Sequence, residues 1–516
     1  LNHSRSLEWL ALVSILALAA YLRLANNANT PGWYTDEGTH LDIAQHLARG
    51  RVQYMALRES TLLVARLPLF DILLAAVLKM GGQGMGALRS LTGALGVVSV
   101  GTLYGVVRRT ERDPTLALVA ALMLALYPQA VLYSRFGFSY NLLAPLTSLV
   151  YLGLWEYRQA ATGRGWLAFT ALAIGIGGTS DLWMFSLAAP MLLVVVTRDG
   201  RDALWSVPLL LAPFGLYALL MLVHAPQAFL FDLRFTLSRL SGTPLSAQVE
   251  TLALNYTVLI SQSHWMALAL VGLFLERPAR PRGLALLLLL SPIAILGRTE
   301  ALFNLSAYYV IPLLPLVSLG VAVVLRWGLP CALRQVRGAL QGLSAPWLPD
   351  WLPRLAAGLL ILAVIVSPFF TSTRYSVRRT REGFPTIIDP FLIDPQSARQ
   401  VAGYVNAQVS GDDVVIASPG LAWSLRANVA DFQMSMAFTG QRTPHLPADV
   451  PRERFAFNPG YAQARFVVVD NLWRNWAVFT VPGVSQMLKR VQTWPLVFQS
   501  GEIEVYCNPA QPGCRI

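Results

Sequence analysis

Apolar runs recur along the first 370 positions, at 7–24, 89–107, 115–133, 141–157, 166–179, 183–197, 204–223, 252–275, 284–297, 306–325 and 355–370. Most are long enough to cross a hydrocarbon core about 30 Å thick as α-helices. The pattern predicts a polytopic α-helical membrane protein with about eleven transmembrane helices. The first run reads as an uncleaved anchor, because no small-residue cleavage site follows it. A further stretch, Leu62–Met80, has the length to span but carries Arg66, Pro68, Asp71 and Lys79, which are costly at membrane depth. Past Phe370 the apolar runs shorten to strand length and polar residues return. Val414–Ala417 and Phe466–Val469 read as buried strands, Pro395–Gln408 and Pro482–Val491 as helices, and Leu496–Gln499 with Glu502–Tyr506 as a terminal hairpin. This divides the chain into a transmembrane domain over 1–370, a linker over 371–394 and an α/β domain over 395–516.

Charge settles how Leu62–Met80 is read. Basic residues crowd every second joint: Arg108/Arg109/Arg112, Arg158/Arg164, Arg198/Arg201, Arg277/Arg280/Arg282 and Arg326/Arg334/Arg337. By the positive-inside rule these joints are cytoplasmic. With a cytoplasmic N-terminus, the alternation holds only if Leu62–Met80 lies in the interface. Residues 26–88 then form a first external loop with two interfacial helices, one at Leu41–Gly50 and one at Leu62–Met80. Asp36, Glu37, Arg66, Tyr133-Ser134-Arg135, the loop 224–251, Arg298-Thr299-Glu300 and the α/β domain all fall on the same, extracytoplasmic side. The expected setting is a plasma membrane, of bacterial type.

The composition agrees. Of 516 residues, 55% are hydrophobic and 13% charged, with a mean hydropathy of +0.50. The net charge of +12 is loop bias and not a nucleic-acid footprint, and Lys79 and Lys489 are the only lysines. Cys331, Cys507 and Cys514 are too few for a disulfide framework or a cysteine zinc site, although Cys507 and Cys514 could close a short loop in an oxidising space.

The chemistry concentrates in Trp33-Tyr34-Thr35-Asp36-Glu37-Gly38-Thr39-His40, where the first span hands over to an aqueous loop. Two adjacent carboxylates at a membrane surface can take a proton from an acceptor or simply suit a helix N-terminus. The order of motifs resembles the GT-C superfamily of membrane glycosyltransferases, in the branch of protein O-mannosyltransferases and lipid A aminoarabinose transferases. Asp36-Glu37 matches its acidic motif, and Arg66-Leu67-Pro68-Leu69 is similar to its basic-Pro-Pro-Leu element. Leu88-Arg89-Ser90-Leu91-Thr92-Gly93, Tyr127-Pro128, Tyr133-Ser134-Arg135 and Tyr308-Tyr309-Val310-Ile311-Pro312 follow in family order.

The resemblance implies transfer of a sugar from a polyprenyl-phosphate carrier to an acceptor hydroxyl, with inversion, on the extracytoplasmic side. It places Asp36 as general base with Glu37 beside it, and Arg66 on the lipid phosphate. Arg135 and Arg298 are further phosphate candidates, and Tyr308 and Tyr309 are substrate-side aromatics. Expected partners are a polyprenyl-phosphate-linked sugar, a lipid or protein acceptor, membrane lipids and other subunits of a membrane complex. Glu37 is also the candidate for a divalent metal. Leu67, Ala65 and Asn141 depart from the family pattern, Ala65 where some relatives carry a zinc-binding glutamate. A second reading is therefore a catalytically decayed GT-C-fold subunit of a larger complex.

Overall fold

The computed structural model describes residues 2–64, 66–161, 163–240, 244–261, 264–274, 281–297, 307–328, 378, 389–512 and 514. The helical part opens with α1 (Asn2–Leu24), α2 (Thr35–Ala48), α3 (Pro68–Lys79), α4 (Gly84–Thr110), α5 (Pro114–Leu126) and α6 (Pro128–Ser134). It continues through α7 (Tyr140–Gln159), α8 (Arg164–Gly178), α9 (Ala188–Asp199), α10 (Ala203–His224) and α11 (Pro226–Leu240). Then come α12 (Leu245–Ser261), α13 (His264–Phe274), α14 (Pro281–Leu296) and α15 (Leu314–Val323).

By length and composition, four described helical segments can cross a membrane: Arg5–Leu24, Gly84–Thr110, Leu182–His224 and Tyr308–Trp327. The pair α5 and α6, bent by 57°, makes a fifth. The bend falls at Tyr127-Pro128, where proline cannot donate to the preceding turn. The run read as one span over 252–275 contains two helices, α12 and α13, and the loop expected over 224–251 contains α11. The last expected span, 355–370, lies outside the described residues, as do Cys331, Ala65 and most of the linker. α3 has 12 residues, about 18 Å of helix, and is too short to cross.

Close approach of helices rests on small residues, as expected where lipid gives no hydrophobic drive for association. At Gly272 on α13, an added Cβ would stand 2.0 Å from the Gly320 carbonyl oxygen of α15. The two backbones touch there, and no side chain fits between them.

The C-terminal region holds a five-stranded sheet. Its strands are β5 (Val414–Ile416), β6 (Asn428–Ala430), β7 (Phe466–Val469), β8 (Leu496–Ser500) and β9 (Ile503–Cys507), in the order β6-β5-β7-β9-β8. β5 pairs in parallel with β6 and β7, and β9 runs antiparallel to β7 and β8. All four residues of β7 are buried, which explains its unbroken Phe-Val-Val-Val sequence. The helix Pro395–Gln408 starts with Asp394 accepting the Ser397 N–H at 2.7 Å. Cys507 and Cys514 are joined by a disulfide.

Two small pairings tie the regions together. β1 (Trp33–Tyr34) lies antiparallel to β4 (Leu392–Ile393), with Trp33 opposite Ile393 and Tyr34 opposite Leu392. The hairpin β2 (Gln53–Tyr54) and β3 (Leu57–Arg58) bridges to Phe455 through Leu57. Arg454 then reaches Asp232 on α11 at 2.9 Å in a buried ion pair. α2 is therefore covered. The pattern predicts a helix with a wetted polar face, yet Asp42 is buried and accepts the Met55 N–H at 2.6 Å. Gly38 meets the Pro419 backbone, where a Cβ would stand 1.8 Å from the carbonyl oxygen.

Candidate functional site

The acidic pair occupies the first turn of α2 and not the loop before it. Consecutive helical positions point about 100° apart, so the two carboxylates face different surroundings. Glu37 turns inward. Its oxygens accept Arg89 Nε at 2.7 Å and Nη2 at 2.6 Å, the Gly137 N–H at 2.7 Å and the Tyr34 N–H at 2.8 Å. Arg89 sends its remaining donors to the carbonyls of Asn27, Pro31 and Gly32. All five guanidinium N–H groups are thereby used, and neither side chain is exposed. This pair fixes the start of α2 against α4 and the loop 27–32. Glu37, expected beside Asp36 at the reacting centre, is held in the interior. Each Glu37 oxygen already accepts two donors, so a divalent ion on it would have to displace some of them. Among the described residues no group of three or more His, Cys, Asp or Glu side chains is placed to hold a metal.

Asp36 turns outward, 30% exposed, and its Oδ1 stands 2.9 Å from Arg66 Nη2. Arg66 sits just before α3 in a loop closed by Thr61, whose hydroxyl donates to the Arg66 carbonyl at 2.8 Å. Burial would lower the Arg66 pKa, but Asp36 together with Tyr140, Tyr308 and Asp71 raises it above its ordinary value, so the guanidinium stays charged. Its Nε is buried with no partner among the described residues. A buried unpaired donor on a charged group is costly, and a ligand oxygen would satisfy it. Nearby, His40 Nδ1 and Asp71 Oδ1 are 2.6 Å apart in a buried pair linking α2 to α3.

Tyr308 and Tyr309 lie in a 3₁₀ turn ahead of α15, within an aromatic cluster. Tyr308 stacks on Phe138 at 4.7 Å and on Tyr140 at 5.7 Å, and Tyr309 meets Tyr140 edge-on at 5.3 Å. Tyr34 joins the cluster through Phe138 at 5.3 Å. Tyr140 and Tyr308 are close enough to act on the Arg66 charge. Arg135 is placed elsewhere. It is buried and donates to the carbonyls of Leu22, Ala25 and Thr30 at 2.8–3.0 Å, which satisfies the open end of α1. It is expected on a phosphate, but its two terminal nitrogens are instead spent on backbone and the Thr30 hydroxyl, and only Nε is left without a partner among the described residues. Arg298 lies outside the described residues.

The outward face of Asp36 opens into a cleft. One wall is Thr35, Asp36, Thr39 and Arg66; the other comes from the α/β region, with Asp431, Gln433, His445 and Trp476. The second wall escapes sequence reading, since nothing local marks it. Its signal is topological: the cleft residue Asp431 directly follows the parallel strand β6, at the edge where open α/β sheets bind ligands, and Asp470 follows β7 at the same edge with Ser418 just past β5. Asp431 accepts the Met434 N–H at 2.8 Å, and burial raises its pKa to about 6. Ser418 Oγ donates to Asp470, whose pKa burial also raises to about 6.

Residues 65–226 match the family model described as dolichyl-phosphate-mannose-protein mannosyltransferase. No curated protein matches the chain. Among solved structures the chain is similar to ArnT from Cupriavidus metallidurans bound to undecaprenyl phosphate. The TM-score is 0.62 at 16% identity over 97% of each chain. It is also similar to the oligosaccharyltransferase AglB from Archaeoglobus fulgidus in complex with an inhibitory peptide and a dolichol-phosphate. There the TM-score is 0.53 at 13% identity, covering 93% of this chain and 71% of that one. The chain therefore shares its fold with these membrane glycosyltransferases, and its residues 65–226 are similar to the mannosyltransferase family.

Proposed function

We propose that the protein transfers a sugar from a polyprenyl-phosphate carrier to an acceptor hydroxyl at the Asp36 cleft, inverting the anomeric carbon. The observation that carries this reading is Arg66, which spends one nitrogen on Asp36 and holds a second, buried and unpartnered. A cation joined to a carboxylate through one nitrogen, with a second donor still unused, suits a reaction that needs both. The acceptor oxygen attacks the anomeric carbon as its proton passes to Asp36. The bond from that carbon to the phosphate oxygen breaks, and the electron pair leaves on the carrier phosphate, whose charge Arg66 stabilises. ArnT, which the chain resembles along its length, is bound to undecaprenyl phosphate, which supports a carrier of this class.

In this reading Glu37 and Arg135 position α2 and α1, and the aromatic cluster around Tyr308 lines the carrier side. The cleft and the α/β region face the extracytoplasmic side. Labelling from outside of cysteines placed at exposed Arg51 and Arg158 tests the orientation, with Arg51 alone expected to react.

The functional test uses the full chain in lipid with a polyprenyl-phosphate-linked radiolabelled mannose and a membrane glycolipid or protein fraction as acceptor. Asp36→Asn is nearly isosteric and removes only the proton acceptor. It should retain carrier binding and lose transfer by roughly 10²–10⁴-fold. Transfer that survives the change removes Asp36 from the mechanism. A wild-type chain that binds no carrier and co-purifies with fixed partners would support a structural subunit instead.

A further inference from the structure

On the side of α2 away from Asp36 lies a second cavity that the transfer reaction does not use. One wall is the C-terminal end of α2 with Gln45, His46 and Arg49; the other is the turn Trp423–Asn428, including Arg426. Gln45 and Arg49 also line an adjoining pocket that runs down to Lys79 at the end of α3. The two form one groove, from the α/β region to the end of a short apolar helix. The groove is built by tertiary structure and is not a chance dip in one surface. Gln45 Nε2 donates to the Trp423 carbonyl at 3.4 Å, across 378 positions of sequence. Gly84 lets the backbone reach the Trp423 ring, where a Cβ would stand 2.7 Å from Cζ3.

Its charge is one-sided. Among the described residues no carboxylate pairs with Arg49, Arg426 or Lys79. The acid in the groove, Asp42, is buried and engaged by the Met55 N–H at 2.6 Å and by His46 at 3.4 Å. Three cations around a polar hollow with one committed carboxylate make a field that an anion would neutralise. Arginine in particular grips phosphate oxygens in pairs. We propose that this groove binds a phosphate-bearing anion and that its occupant is the headgroup of an anionic membrane lipid. The headgroup is favoured over a free anion by where the groove ends. Lys79 is followed by Met80, which is 80% exposed, and α3 exposes Ile72 at 50%. Exposed apolar side chains on a short helix mark the level where acyl chains meet headgroups.

The test is enrichment of phosphatidylglycerol around the full chain in nanodiscs of phosphatidylcholine with a minority of phosphatidylglycerol, read by extraction of tightly bound lipid. Arg49→Gln with Arg426→Gln should lower the enrichment on the order of tenfold. Arg51→Gln, an exposed arginine outside the groove, should leave it unchanged. Elution as a monodisperse peak confirms folding, and Arg426→Gln alone replaces the double variant if it fails. Inorganic phosphate that strips the bound lipid would assign the site to phosphate of either source, and phosphate that does not would assign it to the headgroup. Enrichment untouched by the double variant, or equally reduced by Arg51→Gln, overturns the proposal.

Discussion

Arg66 Nη2 stands 2.9 Å from Asp36 Oδ1 across the junction of α2 and the loop that leads into α3, at the floor of the cleft under the α/β region. Thirty positions apart in sequence, the two make one unit in which each limits the other's freedom. Removal of Arg66 therefore has two consequences. Arg66→Ala should weaken binding of a polyprenyl phosphate and also slow transfer. The combined loss should be on the order of 2–5 kcal/mol in kcat/KM, as for a charge pair broken in a desolvated site. Arg66→Lys should recover only part, because an ammonium cannot hold Asp36 and a phosphate in a fixed fork. Carrier binding and transfer measured separately check this, and a variant altered in neither would exclude Arg66 from the phosphate.

Glu37 and Asp36 are neighbours with opposite expected responses. Glu37→Ala leaves Arg89 charged and buried without its carboxylate. It should lower stability by about 3–5 kcal/mol, read as a lower melting temperature and folded yield. Arg89→Leu should behave alike. A Glu37→Ala protein with wild-type stability and abolished transfer would reverse the assignment and return Glu37 to the chemistry.

Asp431 and Asp470 carry a pH signature. Both have folded-state pKa values of about 6, raised by burial from the ordinary 3.8. Between pH 4 and 6 the folded state binds more protons than the unfolded one. Stability of the α/β region should therefore rise as pH falls from 7 toward 4 and decline as pH increases through 6. The ceiling is about 3 kcal/mol per carboxylate, at roughly 1.4 kcal/mol per pKa unit. Asp470→Asn should flatten part of this slope. Denaturant unfolding followed by tryptophan fluorescence at pH 5 and pH 7 reads it, and greater stability at pH 7 in wild type would contradict it.

Gly38 holds the α/β region down on α2. With Pro419 O only 1.8 Å from where a Cβ would be, Gly38→Ala must push the two backbones apart. Asp36 lies two residues away, so the cleft should widen as well. The expected result is faster proteolysis between 389 and 395 and a loss of transfer, with carrier binding retained. A Gly38→Ala chain as protease-resistant and active as wild type would show that this contact is dispensable.

The sequence by itself determined the parts whose physics is local. Long unbroken apolar runs demand helices in lipid, since only helices and closed barrels satisfy the backbone there and barrel strands are short and alternate. Proline and charge in Leu62–Met80 pointed to a non-crossing helix, and α3 is 12 residues long. Val414–Ile416 and Phe466–Val469 read as buried strands because both their faces are covered, and they are neighbours in the sheet. Asp36 and Arg66 were legible through motif order, and the structure pairs them.

What only the tertiary structure decided is the division of labour among identical residue types. Asp36 and Glu37 are adjacent acids, and nothing local shows that one meets Arg89 in the interior while the other meets the cleft. Arg66 and Arg135 are equally plausible on paper, but Arg135 is surrounded by the carbonyls that end α1. The wall formed by Asp431 and Trp476 lies about 400 residues or more from Asp36, and it reaches the site because β1 pairs with β4 and Gly38 admits Pro419. The role of a charged side chain is set by which partners desolvate it, and those partners are chosen by packing between distant segments.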